Sequence, residues 1–112
     1  MTDSSRSDVV LVRIQLPGKD VPSLRPALVL ATETYRQERD QVVAAAITGD
    51  TTRLLPGDTA IQEWREAGLQ DPSVVTGVLL TLPVESIEKR LGQLSAVDLR
   101  AVEASLRLSL GV

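Results

Sequence analysis

Hydrophobic positions form short dense runs over most of the chain and a helical stripe at its end. Asp8-Val9-Val10-Leu11-Val12-Arg13-Ile14 is β-branched and nearly continuous, which predicts a buried strand. Residues 15–24 contain two prolines and a glycine and predict a loop. Arg25-Pro26 reopens extended structure, because a residue before proline is pushed out of the helical region, and residues 27–31 continue it as a second strand. A polar connector with Tyr35 spans 32–40. It leads into Gln41-Val42-Val43-Ala44-Ala45-Ala46-Ile47-Thr48, a third strand too short for a helix between Asp40 and Gly49.

A second long loop, 49–57, carries Asp50, Arg53 and the Pro56-Gly57 turn signal. Residues 58–62 alternate weakly, as a short edge strand does. Residues 63–68 read as one helical turn stopped at a C-cap glycine. Residues 73–78 and 79–82 give one or two further strands, and 84–91 reads as a short helix between Pro83 and Gly92. Ser95 then stands as an N-cap with Asp98 at the third helical position. From there Leu99, Val102, Leu106 and Leu110 form one stripe, and Val97, Ala101, Ala104 and Leu108 a neighbouring one. Consecutive strands followed by helices predict an antiparallel sheet in an α+β, mainly β fold, or a small barrel capped by a helix. Residues 1–7 are polar and expected to fray, leaving 8–112 as a single domain.

Composition narrows the chemistry. In 112 residues there is neither a cysteine nor a histidine. That removes disulfides, thiolate metal sites, Ser-His-Asp triads and paired-histidine ribonuclease chemistry. No apolar run is long enough to span a bilayer, and the Met1-Thr2-Asp3-Ser4-Ser5 start lacks the basic-then-apolar pattern of a signal peptide. A soluble, cytoplasmic protein is expected. The net charge of −3 argues against general nucleic-acid affinity but leaves room for a local basic site.

The remaining candidates are Arg, Lys, Asp, Glu, Ser, Thr and Tyr35. No phosphate loop, dinucleotide fingerprint or calcium loop is present. The acidic pairs Glu63/Glu66 and Glu85/Glu88 read as solvated faces, so neither metal nor cofactor is expected. Arg25 opens the second strand and Thr48 closes the third. If these strands are antiparallel neighbours, the two residues share one end of the sheet, with Arg53 on the adjoining loop. The plainer reading leaves Arg25 solvated and Thr48 an ordinary strand residue. Trp64 fits either a partly buried core position or a partner surface. Together with Tyr35 it makes a meagre platform for stacking bases.

Several segments, in order, resemble the MazF/PemK-type toxins of bacterial toxin–antitoxin pairs. They are Asp-Val-Val-Leu-Val at 8–12, Leu-Arg-Pro-Ala-Leu-Val-Leu-Ala at 24–31, and the strand ending in Ile47-Thr48. Ala-Gly-Leu-Gln-Asp-Pro-Ser-Val-Val at 67–75 and Lys-Arg-Leu-Gly-Gln-Leu-Ser at 89–95, before the terminal helix, complete the likeness. The resemblance implies a small SH3-like antiparallel barrel with a C-terminal amphipathic helix, paired as a homodimer. It further implies a sequence-selective, metal-independent endoribonuclease acting on single-stranded RNA. A cognate antitoxin would inhibit by laying a segment across the RNA groove. The family's catalytic arginine and threonine fall on Arg25 and Thr48, and Lys19, Asp20, Arg53 and Ser73 are the candidates for RNA contact. The chain departs from the family at Ser7-Asp8, where Gly-Asp is common, and at Ile14, Gln15 and Leu16, where aromatics are common. Those departures and the acidic balance leave a second reading open: a catalytically weak or inactive barrel serving as a protein-interaction module.

Overall fold

A computed structural model describes residues 5–112 except 16, 17 and 19. The strands are β1 (Asp8–Ile14), β2 (Ser23–Val29), β3 (Gln41–Thr48), β4 (Thr59–Ala60), β5 (Val74–Pro83) and β6 (Ile87–Gln93). Two helices, α1 (Glu33–Arg39) and α2 (Ala96–Leu110), and a 3-10 turn at Val84–Ser86 complete the chain. All strand pairs are antiparallel, in the order β4-β5-β3-β2-β1-β6.

Both faces of this sheet are covered, which is why the central strands read as continuous apolar runs. Val9, Leu28, Ala45, Ile47 and Val75 meet Val102 and Leu106 of α2 on one face, together with Ile61, Ala67 and Leu94. On the other face Val10, Val12, Ala27, Val29, Val42 and Ala44 pack with Val84 and Ile87. Only the Leu99/Val102/Leu106 stripe of α2 docks; Val97 and Leu108 of the second predicted stripe are exposed, as is Leu110. Among the described residues no helix is long and apolar enough to cross a membrane.

The expected barrel does not form. The sheet is open, with β4 and β6 as its unpaired edges. Two residues of β4 offer too short a ladder to close against β6. Instead the segment after β4 runs across to β6 and packs on it backbone to backbone. A Cβ on Gly68 would run into the Leu91 carbonyl, and one on Gly92 into the Ala67 carbonyl, so both positions require glycine. The backbone at Gly68 is also left-handed, with φ +86°.

That crossing segment is fastened by one carboxylate. Asp98 is almost wholly buried and accepts hydrogen bonds from the Gln62 N–H at 3.0 Å and the Glu63 N–H at 2.9 Å. The predicted N-cap is present, since the Ser95 hydroxyl accepts from the Asp98 N–H at 3.2 Å. The Asp98 side chain thus serves the crossing segment while its backbone completes the cap.

Two elements differ from the sequence expectation. Residues 33–39, expected as connector, form a short helix with Thr32 as N-cap and left-handed Asp40 as C-cap. It buries no residue, so there was no apolar stripe to read. Residues 84–91, expected as a short helix, are helical only in the 3-10 turn at Val84–Ser86; Ile87–Gln93 form edge strand β6 beside β1, with register shifts at Val9/Val10 and Leu11/Val12. At the N-terminus, hydrogen bonding starts at Ser5, within the stretch expected to fray. The Ser5 N–H donates to Asp8, and the Ser7 N–H and carbonyl bond to Val29 and Leu94.

Replacing Asp98 by alanine leaves two buried N–H groups unpaired. The expected loss of unfolding free energy is about 3 kcal/mol. Denaturant melts of wild type and Asp98→Ala measure it, and an unchanged midpoint would contradict the fastening role.

Candidate functional site

Strand β2 pairs with β3 through Ala27↔Ala46, Leu28↔Ala45 and Val29↔Ala44. Continuing that register by two residues sets Arg25 opposite Thr48, on the same side of the sheet. The ladder ends before them because Pro26 has no N–H to donate. Directly opposed residues have Cβ atoms about 4.5–5.5 Å apart in a regular antiparallel pair. Arg25 is exposed and Thr48 half-buried.

The loop after β3 fixes the Thr48 hydroxyl. Its oxygen accepts from the Asp50 N–H at 3.2 Å, which leaves the O–H free to donate outward. Asp50 is held in turn by Thr52, whose hydroxyl donates to Oδ1 at 2.6 Å and whose N–H donates to the same oxygen at 3.0 Å. The Thr52 hydroxyl and then the Thr52 N–H hold the Asp50 carboxyl below its ordinary 3.8, with desolvation opposing them and the charge of Arg53 adding the smallest lowering. Asp50 is therefore anionic throughout the neutral range.

A cleft of about 380 Å³ lies on the opposite face of the sheet from Arg25, because Arg25 pairs with Val12 whereas the cleft-lining Pro26 pairs with Leu11. Pro26 and Gly49 line it, with Leu11, Leu69 and Leu91 as further apolar walls. Its polar lining comes from Gln70, Asp71, Ser73 and Lys89. The floor is a row across three strands, because Leu11 pairs with Pro26 on one side and with Lys89 on the other. Ser73 is buried and its hydroxyl donates to the Asp71 carbonyl at 2.8 Å, bracing the cleft's rim.

Of the predicted site residues, Arg25 and Thr48 lie at the same end of β2 and β3, each two residues past the paired Ala27 and Ala46, and Ser73 lies in the cleft. Arg53 sits beside Asp50 on the loop. Asp20 is exposed and outside the cleft lining, and Lys19 lies outside the described residues. Gln70, Asp71 and Lys89 were singled out by no spacing signal. Lys89 reaches the cleft only because the bulged β1–β6 ladder brings it beside Leu11. Trp64 is half-buried against the α2-side core with the Arg65 guanidinium over its ring at 4.7 Å, as the partly buried core reading expects.

Open antiparallel sheet, crossing segment and terminal helix define an α+β class shared with solved proteins. The MazE–MazF complex of Deinococcus radiodurans superposes with a TM-score of 0.79 at 21% identity, covering 97% of this chain and 96% of that one. An endoribonuclease bound to its cognate antitoxin, from a mycobacterial species, gives 0.77 at 19% identity, covering 98% and 97%. The Mycobacterium tuberculosis toxin MazF-mt6 gives 0.72 at 27% identity, covering 92% and 97%. No curated protein sequence matches the chain. The sequence profile of the PemK-like, MazF-like toxins of type II toxin–antitoxin systems matches residues 5–110, and the chain belongs to that family.

The lowered pKa of Asp50 has a checkable sign. Its contribution to loop order is complete above 3.8 and is lost as pH falls through the lower folded value. A carboxyl-carbon NMR titration should give a midpoint below 3.8, and Thr52→Ala should move it up toward 3.8. A wild-type midpoint at or above 3.8 would remove Thr52 as the cause.

Proposed function

We propose that this toxin is a sequence-selective endoribonuclease that cuts single-stranded RNA without a metal ion, using Arg25 and Thr48. The observation that supports the reading is the β2–β3 register, whose continuation by two residues would set a guanidinium and a hydroxyl against each other at a strand end. The endoribonuclease named among its structural relatives supports the same activity.

The substrate supplies its own nucleophile. The 2′-oxygen bonds to the adjacent phosphorus, the bond from phosphorus to the 5′-oxygen breaks, and the products carry a 2′,3′-cyclic phosphate and a 5′-OH. The 2′-OH gives up its proton and the departing oxygen gains one. Negative charge rises on the non-bridging oxygens at the transition state, and the Arg25 fork can donate to two of them at once. A guanidinium is a poor proton donor and acceptor near neutrality, so its part is electrostatic. The outward Thr48 O–H donates to the phosphate or orients the 2′-OH, and its fixed rotamer lowers the entropy lost on alignment. DNA lacks the nucleophile and is not cut.

The partners follow from the same relatives, two of which are complexes with an antitoxin or with MazE. A cognate antitoxin would cover this site. Self-association as a homodimer is supported by exposed Leu79 on β5, beside exposed Leu110 and Val112 at the end of α2. Uncovered apolar groups so close together favour a protein partner. The protein would act in the cytoplasm, where its RNA substrate is.

Purified protein on a long single-stranded RNA in excess EDTA should give defined fragments. Arg25→Ala should cut about 10²–10³-fold more slowly, the typical effect of losing one oxyanion donor. Its unfolding midpoint should barely move, because Arg25 is exposed. Undiminished cutting by Arg25→Ala, or cutting that requires added Mg²⁺, would overturn the assignment. Sedimentation at micromolar concentration should give twice the mass of one chain, and a single-chain mass would exclude the dimer.

A further inference from the structure

Cleavage by 2′-oxygen attack leaves one proton without a destination in the protein. The 2′-OH becomes a competent nucleophile as that proton leaves, and a positioned base typically speeds the step about 10²–10⁴-fold. The chain has no histidine and no cysteine, and a guanidinium cannot accept a proton. The Thr48 hydroxyl is already committed as a donor, because its oxygen accepts from the Asp50 N–H. A carboxylate is the remaining kind of acceptor.

Asp50 is placed for it. Its own N–H reaches the Thr48 hydroxyl at 3.2 Å, and bond lengths keep its carboxylate within about 5 Å of that N–H. The carboxylate therefore lies no more than about 8 Å from the Thr48 oxygen, a span that a phosphate and its neighbouring 2′-OH can bridge through two hydrogen bonds. The two carboxylate oxygens divide their work. Oδ1 accepts from the Thr52 hydroxyl at 2.6 Å and the Thr52 N–H at 3.0 Å. Oδ2 has no hydrogen-bond or ion-pair partner among the described residues, and Asp50 is exposed. One oxygen is anchored and the other is open to a substrate proton. Asp20, in the loop leading into β2, has neither an anchor nor a partner among the described residues.

We propose that Asp50 is the general base of this nuclease, its Oδ2 taking the 2′-OH proton while Arg25 and Thr48 hold the phosphate. The assignment rests on the Arg25/Thr48 reading for its location. As the O–H bond breaks, its electron pair forms the new bond to phosphorus, and the 5′-oxygen departs with the electrons of the bond it loses. That oxygen takes a proton from water, and the Asp50 carboxyl returns its own to solvent. The charged groups around Asp50 are Arg53 on its loop, Arg25 at the start of β2, and Asp71 and Lys89 lining the cleft with Gly49. None is a histidine, the side chain that ordinarily changes charge near neutrality. The Thr52 bonds keep the Asp50 carboxyl ionised there but make it a weak base, which sets its share at the low end, about 10²-fold.

Single-turnover cleavage of a long single-stranded RNA in excess EDTA, followed from about pH 5 to pH 8, tests this. Wild type should cut at a rate independent of pH over that range, since its base is already ionised. Asp50→Asn keeps the Oδ1 acceptor for Thr52 and should cut about 10²-fold more slowly near neutrality. Its residual rate should rise about tenfold per pH unit, because hydroxide then removes the proton. RNA binding should hold or tighten in this variant, since a negative charge beside the phosphate is gone. A merely structural role would weaken binding and leave the pH profile flat, and that result overturns the proposal. So does an Asp50→Asn rate within about twofold of wild type. A sloped profile in Asp20→Asn in place of Asp50→Asn gives the proton to Asp20 and overturns it too. Undiminished cutting by Arg25→Ala beside a sloped Asp50→Asn profile would instead sink the Arg25/Thr48 reading and leave the base standing. A wild type that cuts no RNA overturns both.

Discussion

A single buried carboxylate holds the functional end of this molecule in shape. Asp98 ties the N–H groups of Gln62 and Glu63 to the first turn of α2, so the segment leaving the short edge strand β4 cannot swing free. Downstream of that tie, Ala67 and Gly68 press on Leu91 and Gly92 of β6. Beyond the contact, residues 69–71 and Ser73 wall the cleft. An unpaired carboxylate inside a core is costly, whereas one that accepts two backbone hydrogen bonds can be retained. Helix, crossing segment, sheet edge and cleft thus form one mechanical chain, although the carboxylate never touches a ligand.

The same contact explains why the sheet stays open. A ladder between β4 and β6 would need the space that the crossing segment fills. Edge strands expose unpaired backbone groups, and a covered edge meets that problem without full closure. Here the cover is irregular backbone laid against β6, so the gap between the edges becomes the back wall of a cleft. Closing the barrel would have removed it.

What the sequence reveals tracks how each element is stabilised. β1 and β3 lie in the middle of the sheet with both faces buried, and their apolar runs state that directly. α1 depends on its caps and a Glu33–Gln37 hydrogen bond and buries nothing, so its only trace is Thr32 followed by an acid and, later, by arginines. β6 misleads because Val84, Ile87 and Leu91 recur at helical spacing. In the fold, Ile87 belongs to one face and Leu91 lines the cleft on the other. Gly92, which looks like a helix stop, is there to admit the Ala67 carbonyl. The Arg25–Thr48 juxtaposition needed only the correct pairing of two legible strands. The cleft needed the bulged β1–β6 register and the crossing segment, which no local pattern encodes.

The acidic total charge is a poor guide to what this surface can bind, because half of its twelve cations are spoken for. Arg6, Arg13, Arg36 and Arg90 lie in ion pairs, and Arg39 and Arg65 lie over aromatic rings. Arg25 and Lys89 stand in no ion pair among the described residues, Lys89 on the cleft face beside Leu11 and Arg25 on the other face beside Val12. Screening confines exposed charges to about 8 Å at physiological ionic strength, so a phosphate beside Arg25 responds to its near neighbours more than to the distant carboxylates. A chain of net charge −3 can therefore present a locally cationic site. The anionic Asp50 beside Thr48 then acts against indiscriminate binding of phosphate at that end of the sheet. Affinity must come from correct placement of a base and a backbone together, which is the condition under which a small nuclease becomes selective.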